Sequence, residues 1–170
     1  PRCDPAANTI VSQILLWAIT TPTYVLLLTS RLSGPTTTTS DIIFARVLML
    51  LVLASFFADQ QQWNFQSAKK RYQQTAKVPP GWQREDLDRG FCVSGLFSYC
   101  RHPNFAAEQT IWVVLYQWAC FESFTYYNWT FVGAMAYLLL FQASTWLTEL
   151  ITRSKYPEYR EYQRLVPKFM

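Results

Sequence analysis

The sequence predicts an all-α, polytopic integral membrane helix bundle: four transmembrane helices, a polar cofactor pocket on the cytosolic side and a C-terminal amphipathic helix. Three observations predict it. Of 170 residues, 51% are hydrophobic and 17% aromatic while only 15% are charged, against about 25% charged in soluble proteins. The apolar residues gather in four blocks, about 10–28, 42–58, 106–121 and 131–151, and each approaches the ~20 residues that a helix needs to cross about 30 Å of hydrocarbon. Lys and Arg collect between residues 59 and 105 and again after residue 152, whereas 31–41 holds only Arg31 and 122–130 holds none. That bias puts both basic regions, and both ends of this chain, in the cytosol. The net charge of +4 is then a topology signal and a contact for anionic lipid or a phosphorylated cofactor, with no need for nucleic acid.

The chain opens on Pro1, and PRCDPAANT has neither the basic start nor the cleavage site of a signal peptide; further residues are expected upstream. The first span follows. GPTTTTSD, Gly34 to Asp41, reads as a turn and a capped helix start, with Ser40 or Asp41 accepting from the first free amides of the second span. That span, IIFARVLMLLVLASFFA, carries Arg46 as its only charge, near enough to one end to snorkel. From Val47 to Phe57 only Ser55 is polar, which is unlike a core helix with one charged face.

ADQQQWNFQSAKKRYQQTAK lacks Gly and Pro, so the second helix is expected to run on until Val78, before Pro79 and Pro80. Asp59, Gln62, Trp63 and Gln66 share a helical spacing. They form either a solvated helix end with an interfacial Trp63 or an inward face that hydrogen-bonds a polar ligand. VPPGWQREDLDRGF reads as a loop and a candidate lid. Pro103 suits the first position of the third helix, which places Asn104 and Glu108 four apart on one side. Arg101 and His102 stand just before that helix N-terminus, where amides and dipole favour an anion. The set suits a phosphate-bearing cofactor.

A carboxylate within a spanning helix costs about 2.5–3.5 kcal/mol on insertion scales, so Glu108 should face a protein interior or cavity; alternatively it steadies the positive helix end. Glu149 repeats the pattern in the fourth span, where Gln142, Thr145 and Glu149 make one polar stripe. Two carboxylates on two helices are thus expected at one membrane depth. The loop FESFTYYNW is unusually aromatic. In the tail, Tyr156, Tyr159 and Tyr162 recur every three residues and Arg160 and Arg164 every four, as in a short interfacial helix. The tyrosines are either interface anchors or hydroxyl donors to a phosphate or ribose, with Arg160 beside them. Cys3, Cys92, Cys100 and Cys120 form no CxxC pair and His102 is the single histidine, so neither a structural metal nor a disulfide framework is expected.

ADQQQWNFQ, then GLFSYCRHPNFAAEQ, then STWLTEL with KYPEYREYQRLVPKF together resemble the steroid oxidoreductase superfamily, in its branch of uncharacterised fungal and bacterial membrane proteins. The family pattern is an Ala-Asp-x-Gln entry, a Gly-Leu-x-x-Tyr-x-Arg-His-Pro-Asn-Tyr-Phe-Gly-Glu core and a Tyr-x-Glu-Tyr tail. The resemblance covers about residues 10 to 170 and implies one membrane domain over 1–170, the C-terminal two-thirds of a longer fold in the endoplasmic reticulum. It further implies NADPH on the cytosolic side and reduction of a carbon–carbon double bond in a sterol or other lipid. Asp59, Arg101, His102, Asn104, Tyr159 and Arg160 would hold the cofactor, with Glu108 and Glu149 as the carboxylates nearest the reaction.

Two other classes share these features. The isoprenylcysteine carboxyl and phospholipid methyltransferases have a similar half-fold with an Arg-His-Pro core, and imply S-adenosylmethionine held with the help of Glu149. A non-catalytic membrane subunit would use Phe105-Ala106-Ala107 and the aromatic loop to pack against a membrane protein partner.

Overall fold

Thr38 begins the longest helix by a reciprocal cap. Its amide and hydroxyl donate to Asp41 Oδ2 at 2.8 and 2.9 Å, while the Asp41 amide approaches Thr38 Oγ1 at 3.3 Å. A Thr and an acid three apart satisfy amides that the first helical turn leaves unbonded, so Thr38 caps the helix in place of Ser40. The computed structural model describes residues 5–34 and 37–169; Pro1, Cys3 and the Pro35–Thr36 centre of the expected turn lie outside the described residues.

In chain order the elements are α1 (Pro5–Ser33), α2 (Thr39–Thr75), α3 (Arg84–Arg89), a 3₁₀ turn (Gly95–Ser98), α4 (Pro103–Glu122), α5 (Phe131–Lys155) and α6 (Tyr159–Leu165). The described residues contain no strand. Among the described residues three helices are long and apolar enough to cross a membrane, at Gln13–Leu32, within Thr39–Thr75 and within Phe131–Lys155. On α2, Met49, Leu50, Val52, Phe56 and Phe57 are exposed, an apolar surface of the kind that faces lipid. The helix α4 has 20 residues, but Asn104, Glu108 and Gln109 take up its first two turns, and it is not among the three.

Two expectations need correction. The helix α2 stops at Thr75, three residues before Val78, with Ala76 left-handed at φ 53° and its amide on Tyr72 O at 2.8 Å. Pro79 disfavours helical backbone in the residue before it, so the helix ends ahead of that point. The segment read as a loop also contains α3, whose single buried apolar residue, Leu87, reaches the core. Glu85 and Asp86 in its first turn and Arg89 in its last complement the helix dipole, and Gly90, at φ 83°, supplies the left-handed end that favours glycine.

The chain divides into two units. The first comprises Pro1–Leu51 and Gln109–Ala143. Within it Trp118 stacks on Phe44 at 5.7 Å and donates to Asp41 Oδ1 at 3.0 Å. A Cβ on Gly133 would overlap the Ala18 carbonyl oxygen and lie 3.0 Å from Ile19 N, so only glycine permits this approach of α5 to α1.

The second unit comprises Val52–Glu108 and Ser144–Met170. Its core is Phe65, Ala68, Leu87, Cys92 and Phe97, with Tyr72 and Trp82 packed on it; Phe91, Tyr159 and Tyr162 form a second cluster. Lys69 Nζ ties α2 to the following segments by donating to Gly90 O and Tyr156 Oη, both at 2.7 Å.

Candidate functional site

The residues Arg-His-Pro-Asn converge in the second unit because Pro103 starts α4 and leaves Arg101 and His102 in the turn ahead of it. The Arg101 guanidinium lies side-on to Glu149, Nε to Oε1 at 2.8 Å and Nη2 to Oε2 at 3.3 Å. Its Nη1 donates to the carbonyls of Gln163 and Val166 at 2.8 Å each, and its backbone amide to Pro167 O at 3.0 Å. His102 Nε2 meets Glu149 Oε1 at 3.0 Å, and Gln163 Nε2 donates to Oε2 at 2.9 Å. Both acidic oxygens therefore accept twice. The pair is 10% and 12% exposed, so each charge depends on the other to offset desolvation.

His102 stacks on Phe105 at 5.6 Å. Burial holds its imidazole below the ordinary histidine value, an effect that the bond to Glu149 offsets only in part. It is thus the neutral ring that donates to Glu149 at pH 7.

Beside this clamp lies a cavity of about 200 Å³. Its walls are aromatic, from Phe91, Phe97, Phe105, Tyr159 and Tyr162, and its polar lining includes Gln62, Arg101, His102 and Asn104. The Tyr162 hydroxyl is spent on Phe97 O, and burial pushes that phenol up. The threonines Thr148 and Thr152 return their hydroxyls to the carbonyls of Ser144 and Thr148, at 2.8 Å each. Tyr159 differs. It is 5% exposed, it lines the cavity, and among the described residues its hydroxyl has no hydrogen-bond partner. Burial, and behind it the Glu149 charge, push its phenol up to about 12, so at neutral pH it is a proton-bearing donor.

The expected site residues separate into three groups. Arg101, His102, Asn104 and Tyr159 line the cavity. Asp59 is exposed and touches it indirectly, accepting from Asn104 Nδ2 at 2.9 Å; Glu149 acts through Arg101 and His102. Glu108 is half-buried on α4 and Arg160 is exposed on α6, and neither lines the cavity. Of the expected inward face of α2, Gln62 lines the cavity and Trp63 is exposed. Gln163 was not foreseen, and neither were the Phe91 and Phe97 walls. Gln163 carries no motif, and its one signal is its place one residue after Tyr162. The interface-anchor reading of the tyrosines fails at Tyr159 and Tyr162, which are buried against Phe91.

A model of the family described as protein of unknown function, DUF1295, matches residues 7–166. An uncharacterized protein of Schizosaccharomyces pombe is 37% identical over 164 residues, which are 94% of this chain and 46% of the relative. The chain thus spans about half the length of the curated relative that it matches. No solved structure matches.

Proposed function

Since the chain belongs to the DUF1295 family, we propose that it is the cofactor-holding part of an endoplasmic-reticulum membrane reductase that uses NADPH to reduce a carbon–carbon double bond in a sterol or another lipid. In this reading α4 also crosses the bilayer as a fourth span, and both ends of the chain lie in the cytosol. The observation that carries it is Tyr159, a residue 5% exposed whose hydroxyl has no protein partner among the described residues, at an aromatic-walled cavity beside the Arg101–His102 turn. Among the described residues no fully buried side-chain oxygen lacks a partner, so this hydroxyl opens onto the cavity, where a ligand acceptor can take its hydrogen bond at a net worth of about 1 kcal/mol.

The cavity of about 200 Å³ is smaller than the roughly 300–1,000 Å³ of whole-ligand sites. It suits one ring system, so the nicotinamide end is the part assigned to it. Tyr159 Oη and the Gln62 amide would bond the ring's carboxamide, and Asn104, oriented by Asp59, the adjoining ribose. Arg160, exposed one residue beyond Tyr159, is assigned to the phosphates. NADPH, when bound, supplies the hydride. Glu108, one turn along α4 from Asn104, is assigned to hold the proton for the substrate carbon. Glu149 is a positioning residue, since its oxygens already accept from Arg101, His102 and Gln163. That same saturation disfavours a methyltransferase in which Glu149 holds S-adenosylmethionine.

The full-length protein in detergent tests this by binding of NADPH, NADH and S-adenosylmethionine side by side. NADPH should bind, and Tyr159→Phe should weaken it about fivefold, the worth of one hydrogen bond, without lowering the melting temperature. Binding of S-adenosylmethionine alone would transfer the protein to the methyltransferases. Binding of none would leave the membrane-subunit reading.

A further inference from the structure

A second cavity, of about 350 Å³, lies where α2 meets the Pro79–Pro80 segment, and it shares no lining residue with the Tyr159 cavity. The two back onto one core. Ala68 and Trp82 face the second cavity while Cys92 and Phe97 face the first, and all four pack in or on the Phe65 cluster. Whatever the second cavity takes is therefore a separate ligand.

Its chemistry is ordered along α2. Trp63, 71% exposed, follows the apolar run that ends at Ala58, which is where tryptophan sits at a membrane interface. Eight residues later, about 12 Å along the helix axis, stands Arg71. Between them Asn64 and Ser67 lie on the Arg71 face, at positions i, i+3 and i+7. The Asn64 carbonyl accepts from Gln60 at 2.9 Å, which leaves its NH₂ to donate. Among the described residues the Ser67 hydroxyl and the Arg71 guanidinium have no side-chain partner. Trp63, Trp82 and the two prolines supply flat apolar walls.

Lys69, Lys70, Arg71 and Lys77 make this the densest basic stretch of the chain. A cluster of that size just beyond a spanning helix favours anionic lipid headgroups. Lys69 is spent on Gly90 and Tyr156, so Arg71 is the member that both lines the cavity and is free to pair. Its planar fork matches a phosphate in two hydrogen bonds. A simple phosphodiester headgroup keeps its phosphate at the interface, level with Trp63. A guanidinium about 12 Å further out needs a headgroup that carries phosphate outward on a spacer. The spacer must also offer C–H faces to the walls and hydroxyls to Asn64 and Ser67, and a polyol ring does both.

We propose that this groove binds the phosphorylated polyol headgroup of an anionic membrane lipid, of the phosphoinositide type. The proposal rests on α2 leaving the bilayer near Trp63 and is independent of the cofactor reading.

Native mass spectrometry of the full-length protein in detergent tests it, with phosphatidylinositol phosphate, phosphatidylserine and phosphatidylcholine offered at equal concentration. The phosphoinositide should be retained in preference to phosphatidylserine. Arg71→Gln should reduce its retention about fivefold, as expected for one cation near the surface, and Trp63→Ala should also reduce it. Arg164→Gln, an equal loss of charge on α6, should leave it unchanged. Equal retention of the two anionic lipids, or an equal loss in Arg164→Gln, overturns the proposal. In a further arm, soluble inositol bisphosphate should displace the lipid only in large excess; displacement at equal concentration would assign the groove to a free phosphorylated polyol and overturn the lipid assignment. Trp63 and Arg71 are exposed, so the variants should fold, and NADPH binding by Arg71→Gln separates failure here from failure of the reductase reading.

Discussion

Arg101 and Glu149, 48 positions apart, meet side-on with two hydrogen bonds of 2.8 and 3.3 Å, and the same guanidinium holds the carbonyls of Gln163 and Val166. One pair thus joins α5, the turn before α4 and the C-terminal tail. Removing a single partner strands a buried charge. Glu149→Gln should lower stability by about 3 kcal/mol and make the tail beyond α6 more sensitive to protease, whereas the double change Arg101→Met with Glu149→Leu should cost less than either alone. Thermal unfolding of the three variants checks this.

His102 is held below its ordinary value mainly by burial. Its folded value lies under the unfolded one, near 6.5, so its share of stability is complete above that pH. That share is lost as pH falls from about 6.5 through the folded value. Melting temperature should decline over that window, and His102→Gln, which retains a donor toward Glu149, should flatten the decline.

Tyr156 titrates below an ordinary phenol, chiefly because Lys69 donates to its oxygen at 2.7 Å. An acid depressed in the folded state adds stability at high pH and loses it as pH falls through the folded value. Ultraviolet titration of tyrosinate should show one early group that Tyr156→Phe removes. The stability advantage of the parent over that variant should grow as pH rises toward about 10.

Gly133 lies against the Ala18 carbonyl, where a Cβ has no room. Gly133→Ala should destabilise the first unit by about 1–3 kcal/mol, as overpacking does, and calorimetry in detergent should register it. Gly34, with nothing within 4 Å of an added Cβ, also sits at φ 83°; Gly34→Ala should show only the smaller cost of a left-handed backbone.

The all-helical character, the apolar helices and the meeting of Arg101, His102 and Asn104 were legible in the sequence, because each rests on composition, on helical period or on neighbours in one motif. The start of α4 at Pro103 was legible for the same reason, since proline suits a first helical position. The short helix α3 was not: six residues with one apolar side chain show no period, and tertiary burial of Leu87 holds it in place. The end of α2 falls three residues short of the point that the prolines alone mark, because Ala76 turns left-handed and closes the helix on Tyr72 O.

The candidate site divides along the same line. Residue types and spacing pointed to Arg101, His102, Asn104, Tyr159 and Glu149 without saying what each would touch. Glu149 looked like a reactive carboxylate because a lone acid in an apolar helix demands an explanation. Only the tertiary structure, by bringing Arg101, His102 and Gln163 onto its two oxygens, shows that its charge is already matched. Tyr156, Tyr159 and Tyr162 are equivalent by period, yet one bonds Lys69, one bonds Phe97 O and one keeps its hydroxyl for the cavity. The sequence by itself determined the helices, since hydropathy and period are local properties of the chain. Which polar groups were left unspent was decided only in the folded state, because a hydrogen bond needs a partner that the chain supplies from dozens of residues away.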